Sequence, residues 1–213
     1  RVVAAPDEEF RGHPDWEGTL QRTVESVSDR MEIDFGLRLR VSRVIPWESG
    51  APDYDMSALR EELKRKVQPD GDEDIVIGFC GRETPTTERR EMRLGQSDTP
   101  GRAIAVSDVA GRDLALVLRH ELAHSFGVPH VTRVASIMNP DLRADHPDFD
   151  RSSAAILRNN LNLDFTSDDP FGGVRLEVLQ SLYEEMARDG EYVADLVSTV
   201  GESFHARGQN DLA

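Results

Sequence analysis

Apolar positions along the chain fall first into short runs and then into helical stripes. Val2 to Ala5, ended by Pro6, reads as a strand. Asp15 to Ile33 sets Trp16, Leu20, Val24, Val27 and Met31 at three- and four-residue steps, which predicts an amphipathic helix. Leu37 to Ile45 alternates apolar residues with arginine or serine, as a half-exposed strand does, and Pro46 stops it. Asp55 to Val67 carries Met56, Leu59, Leu63 and Val67 on one helical face, and Ile75 to Cys80 reads as a buried strand. The order to this point is β-α-β-α-β. Gly81 to Pro100 is polar and turn-rich, which predicts a long excursion over the sheet or beside a cleft.

Ala103 to Val109 predicts another strand, and Gly111 to Phe126 a helix whose Leu114, Val117, Leu118 and Leu122 face the sheet. Asp113 sits near the positive N-terminus of that helix. Phe149 to Asn160 predicts a further helix with Ala154, Ile156 and Leu157 inward. Beyond the linker-like stretch from Thr166 to Pro170, two more apolar stripes appear. One is Leu176, Leu179, Leu182, Tyr183 and Met186; the other is Tyr192, Val193, Leu196, Val197, Val200 and Phe204. We therefore divide the chain into a catalytic part, 1–165, and a C-terminal helical hairpin, 166–213.

Composition narrows the function classes. A net charge of −15, from 40 acidic and 25 basic residues, repels nucleic-acid phosphates and anionic lipid surfaces. No apolar run approaches the length of a membrane span, and no charged-then-apolar leader opens the chain. Cys80, the single cysteine, excludes an intramolecular disulfide and reads as a buried strand residue.

The chemistry sits in His120-Glu121-Leu122-Ala123-His124-Ser125-Phe126-Gly127-Val128-Pro129-His130. Residues four apart share a helix face, so His120 and His124 can hold one metal together. His130 supplies a third ligand if the chain turns, and Gly127 stands where it must leave the helix. Pro129 prevents the helix from resuming. Three protein ligands leave the fourth zinc position for water, whose pKa falls to roughly 7 on the metal. Glu121, next to the first ligand, is the expected general base for hydrolysing an amide. Chance occurrence of these five positions in a chain this long is on the order of 10⁻⁵, so the pattern is not read as incidental.

H-E-x-x-H-x-x-G-x-x-H followed by Ser136-Ile137-Met138-Asn139-Pro140 resembles the metzincin clan of zinc endopeptidases. That resemblance covers roughly Val2 to Leu163. It implies an α+β fold with a twisted, mostly parallel sheet, an antiparallel edge strand over the zinc-binding helix and a helical C-terminal part. It implies one catalytic Zn2+ held by His120, His124 and His130, Met138 as an apolar floor beneath them, and Glu121 activating a zinc-bound water. It also implies an edge strand that pairs with extended substrate backbone, which we place at Arg102, Ala103, Ile104, Ala105 and Val106. Secretion or a periplasmic location follows from the same analogy. The chain departs from the clan in places. Asn139 and Pro140 stand where astacins and serralysins carry a ligand tyrosine, Val131 after the third histidine matches no familiar subfamily, and no Pro-Arg-Cys-Gly latency motif is present.

Asp141, Asp145, Asp148 and Asp150, with His146 among them, raise a Ca2+ site; their spacing matches no complete calcium loop, and a solvated loop capping the next helix is the favoured reading. Val200-Gly201, Phe204 and Ala213 faintly resemble tetratricopeptide positions, which would make the C-terminal helices a surface for a protein partner. Three functions stay open at this point: a zinc endopeptidase acting on protein or peptide, a catalytically silent metal-binding scaffold working through its helical tail, and a zinc hydrolase of a small non-peptide substrate. Intact Glu121 argues against the second.

Overall fold

The computed structural model describes residues 1–50, 55–81, 94–108, 113–142, 145, 147–167 and 170–191. The second tail stripe, Tyr192 to Phe204, the tetratricopeptide-like positions and His146 lie outside them. The chain forms two compact units, Arg1–Ser125 and Phe126–Ala213.

The first unit is built on strands β1 (Val2–Pro6), β2 (Val41–Val44), β3 (Ile75–Cys80), β4 (Gly95–Ser97) and β5 (Ala103–Ser107), in the order β2-β1-β3-β5-β4. The first four in that order are mutually parallel, and β4 runs antiparallel to β5. This is the mixed, mostly parallel sheet that the resemblance implies. Every residue of β1, β3 and β5 is buried, as expected of central strands covered on both faces. Side chains alternate between those faces. Val3, Ala5, Val76, Cys80 and Ala105 meet Met56, Leu59, Leu63 and Val67, which come from α3 (Met56–Lys66) and the residue after it. Gly78 is bare there because a Cβ would lie 2.8 Å from Leu63 Cδ2. Against the sheet also lies α4 (Leu114–Ser125), which in turn meets α2 (Trp16–Phe35).

Two short elements escape the hydrophobic pattern. Helix α1 (Glu8–Arg11) starts on Asp7, whose Oδ1 accepts from the Phe10 and Gly81 amides at 2.8 and 3.0 Å. Strand β4 is the end of the stretch expected to be an irregular excursion. The strand expected over Leu37 to Ile45 contracts to Val41–Val44; Gly36, at φ +70°, ends α2, and Ser28 Oγ accepts from the Leu39 amide at 3.0 Å.

One expectation is overturned. The resemblance puts Arg102 to Val106 on the rim of the sheet, yet β5 has a partner on each side, β3 and β4. Among the described residues, the antiparallel edge is Gly95–Ser97. An uninterrupted apolar run such as Ala103-Ile104-Ala105-Val106 reports burial on both faces, and an interior position satisfies its backbone groups on both sides as well.

The second unit contains α5 (Arg151–Asn159), a 3₁₀ turn (Pro170–Gly173) and α6 (Leu176–Arg188), with α5 against α6. Asp150 caps α5, accepting from the Ser152 and Ser153 amides at 3.0 and 3.1 Å. Phe126 meets Phe165 edge to face with ring centres 5.2 Å apart. Among the described residues, no helix is long and apolar enough to cross a membrane.

Candidate metal centre

Helix α4 begins where Asp113 Oδ1 accepts from the Ala115 and Leu116 amides, at 3.0 and 3.2 Å. From Leu116 onward every side chain is buried. Arg119 is among them, and its Nη2 donates to Asp34 at 2.7 Å, which sets the rotation of α4 against α2. Spacing of four residues on one helix puts His120 and His124 together. Their Nε2 atoms are 3.1 Å apart and the rings stand at 87° to each other. Two imidazole ligands of a tetrahedral zinc, each at about 2.05 Å, have nitrogens about 3.3 Å apart, so the pair is spaced for one ion. The third imidazole of the sequence pattern, His130, belongs to the second unit.

Glu121 is buried, and its Oε2 accepts from Ser97 Oγ at 2.8 Å. Gly95 lies against the same carboxylate: a Cβ there would stand 2.5 Å from Glu121 Cγ and 2.6 Å from Oε1. The edge strand therefore touches the prospective base directly. The other residues expected to bind substrate do not line a surface. Ala103, Ile104, Ala105 and Val106 are buried in the interior strand, and Arg102 donates to the carbonyls of Glu73 and Asp74.

In the second unit the chain turns at Gly127, φ +79°, where a Cβ would lie 3.1 Å from both Asn160 Nδ2 and Tyr183 Oη. Asn160 Nδ2 donates to the Phe126 carbonyl at 2.8 Å and Tyr183 Oη to the Gly127 carbonyl at 2.6 Å. Half-buried His130 and the buried Val131 follow. Met138 is fully buried, and its carbonyl accepts from the Val131 amide at 3.0 Å. Asn139 stands where astacins and serralysins carry a tyrosine and is itself used: Nδ2 donates to the Val131 and Thr132 carbonyls, both at 3.3 Å. Ser136 Oγ donates to Asp150 at 2.8 Å, joining this turn to the cap of α5. Burial raises the Asp150 pKa, but bonds from Ser153, Ser136 and Ser152 outweigh it and hold the carboxyl below its ordinary value.

Gly95, Ser97, Asn160 and Tyr183 carried no signal in the sequence that linked them to this chemistry. Each is an ordinary turn, strand or helix residue whose partner is distant along the chain.

A mostly parallel sheet with an antiparallel edge, lying against a helix that carries a histidine pair and a carboxylate, defines a metzincin-like zinc metallopeptidase. Residues 1–150 match the Reprolysin_5 family, described as metallo-peptidase family M12. The chain belongs to that family. Its fold is similar to the crystal structure of archaemetzincin from Methanopyrus kandleri, with 21% identity over 75% of this chain and 94% of that one, at a TM-score of 0.55. A chain from a structure titled as a chaperone-substrate complex aligns over 78% of this chain and 37% of its own, at 15% identity and a TM-score of 0.47, too low to carry an argument. No curated protein matches the chain.

Proposed function

We propose that the chain is a zinc-dependent endopeptidase, with His120, His124 and His130 as the zinc ligands and Glu121 as the general base. The observation that carries this reading is a buried carboxylate on the helix that sets two imidazole nitrogens 3.1 Å apart, in a chain of family M12. When bound, zinc supplies Lewis acidity that polarises a carbonyl and acidifies a water. Glu121 takes the proton lost by the attacking water and returns it to the leaving amine. Met138, fully buried and without a ligand atom suited to zinc, contributes apolar bulk at the turn.

The substrate strand belongs at β4 and not at β5. In the β4–β5 ladder, Leu94 and Asp98 bond to β5 through Ser107 and Ala103, so by alternation Gly95 and Ser97 turn their N–H and C=O groups away from it. An extended peptide adds there as the next strand. The Ser97 carbonyl also accepts from Arg60 at 2.9 Å, which leaves Gly95 as the main pairing residue. A protein or peptide in an extracytoplasmic setting is the proposed substrate.

Incubation with a diverse peptide mixture, with cleaved bonds mapped by mass spectrometry, tests the reading. Cuts are expected with zinc, not with a chelator, and not in Glu121→Ala, which should still carry about one zinc per chain. His124→Ala should lose the metal. Cuts that persist in Glu121→Ala would overturn the mechanism.

A further inference from the structure

We infer that Ser97 is a positioning residue for the general base: its hydroxyl, with the bare backbone at Gly95, fixes the Glu121 carboxylate and ties it to the edge strand. This deepens the reading above and rests on Glu121 being the base.

Ser97 Oγ donates to Glu121 Oε2 at 2.8 Å, and both side chains are more than nine-tenths buried. A hydroxyl bonded to a carboxylate out of water is a charge-assisted bond, stronger than a neutral one. The terminal torsion of a glutamate is broad and roughly two-fold, so a donor of this kind narrows the settings of the carboxylate plane. Gly95 restricts it from a second side. With Oε1 only 2.6 Å from the place a Cβ would occupy, any side chain at position 95 displaces the group.

Gly95 and Ser97 are two apart on a strand, so they face the same way, toward Glu121. By the ladder alternation they are also the β4 residues whose backbone turns outward. The strand that pairs with substrate and the strand that holds the base are then the same three residues. A register slip or displacement of β4 therefore moves both together, and the base is set relative to the backbone the substrate binds.

Zinc-loaded wild type, Ser97→Ala, Gly95→Ala, Glu121→Ala and the Ser97→Ala/Glu121→Ala double variant test this. Two readouts are used: steady-state cleavage of a peptide that the wild type cuts, and calorimetric binding of acetohydroxamate, whose hydroxyl and N–H can bond a carboxylate beside the metal. Ser97→Ala should lower kcat about tenfold or more, the worth of a bond to a charged group. Its KM should stay within about twofold, because the lost interaction orients the base and does not bind substrate. Zinc content should match wild type, and Gly95→Ala should lose kcat in the same way. Hydroxamate binding should weaken about fivefold in Ser97→Ala and not weaken further when that change is added to Glu121→Ala. A Ser97→Ala kcat within about twofold of wild type overturns the inference. So does a fall in kcat matched by lost zinc or raised KM, and so does an equal effect of Ser97→Ala on hydroxamate binding with and without Glu121. If the wild type cuts no peptide, the endopeptidase reading fails, and the hydroxamate cycle still decides the role of Ser97.

Discussion

The phenol of Tyr183 donates a 2.6 Å hydrogen bond to the carbonyl of Gly127, and both residues are buried. Asn160 does the same for the carbonyl of Phe126 at 2.8 Å. These carbonyls belong to the turn that follows the zinc helix, where backbone acceptors have run out of helical partners. Burial raises the Tyr183 pKa, so the phenol remains a neutral donor. Helix α6 thus helps to hold the turn that leads to His130.

Tyr183→Phe should leave the Gly127 carbonyl buried without this donor, at a cost of about 1–3 kcal/mol in unfolding free energy. Chemical denaturation followed by circular dichroism measures it. Zinc should also leave the variant faster under chelator challenge, since the turn before a ligand is less firmly held. An unchanged unfolding midpoint together with an unchanged rate of zinc loss would show that the bond does not stabilise the turn.

Ile104→Asp should abolish cooperative folding, because it buries a charge in an interior strand with neighbours on both sides. Gln96→Ala, on the half-exposed edge strand, should stay within about 1 kcal/mol of wild type. Thermal melts of the two variants separate the interior strand from the edge. An Ile104→Asp protein that folds and changes only the KM for peptides would put the substrate strand back at β5.

Glu73 gives the stability an acid limit. Hydrogen bonds from Arg43, with further ones from Ser42 and the Asp70 amide, outweigh its desolvation and bring its pKa from 4.5 down to about 2. A carboxyl with a lower pKa folded than unfolded stabilises the fold above its unfolded value and loses that contribution as pH falls toward the folded one. Melting temperature should therefore drop between pH 4.5 and about 2, and Glu73→Gln should flatten the fall across that window. An identical pH profile in the variant would remove Glu73 as the cause.

Long periodic stripes were readable because helical spacing is a local property. The helices at Trp16–Phe35, Met56–Lys66, Leu114–Ser125 and Leu176–Arg188 all lie where their apolar steps place them. Strand content was readable where the run was apolar, as at Ile75–Cys80. Gly95-Gln96-Ser97 offered neither period nor apolar residue, so the edge strand was invisible. The apolar run beside it passes for that edge in the sequence, because a run reports burial and not how many neighbours a strand has.

The metal chemistry follows the same division. His120, Glu121 and His124 lie within one turn and a fraction of a helix, so their identity and spacing were enough to specify a metal-binding face and a neighbouring carboxylate. Which groups hold that face in place was decided only by folding. Ser97 reaches Glu121 across 24 residues and Tyr183 reaches Gly127 across 56, and no local pattern encodes either bond. Such contacts depend on strand order and helix docking, which the packing of the whole core selects, and they appear only once distant segments have paid the entropy of coming together.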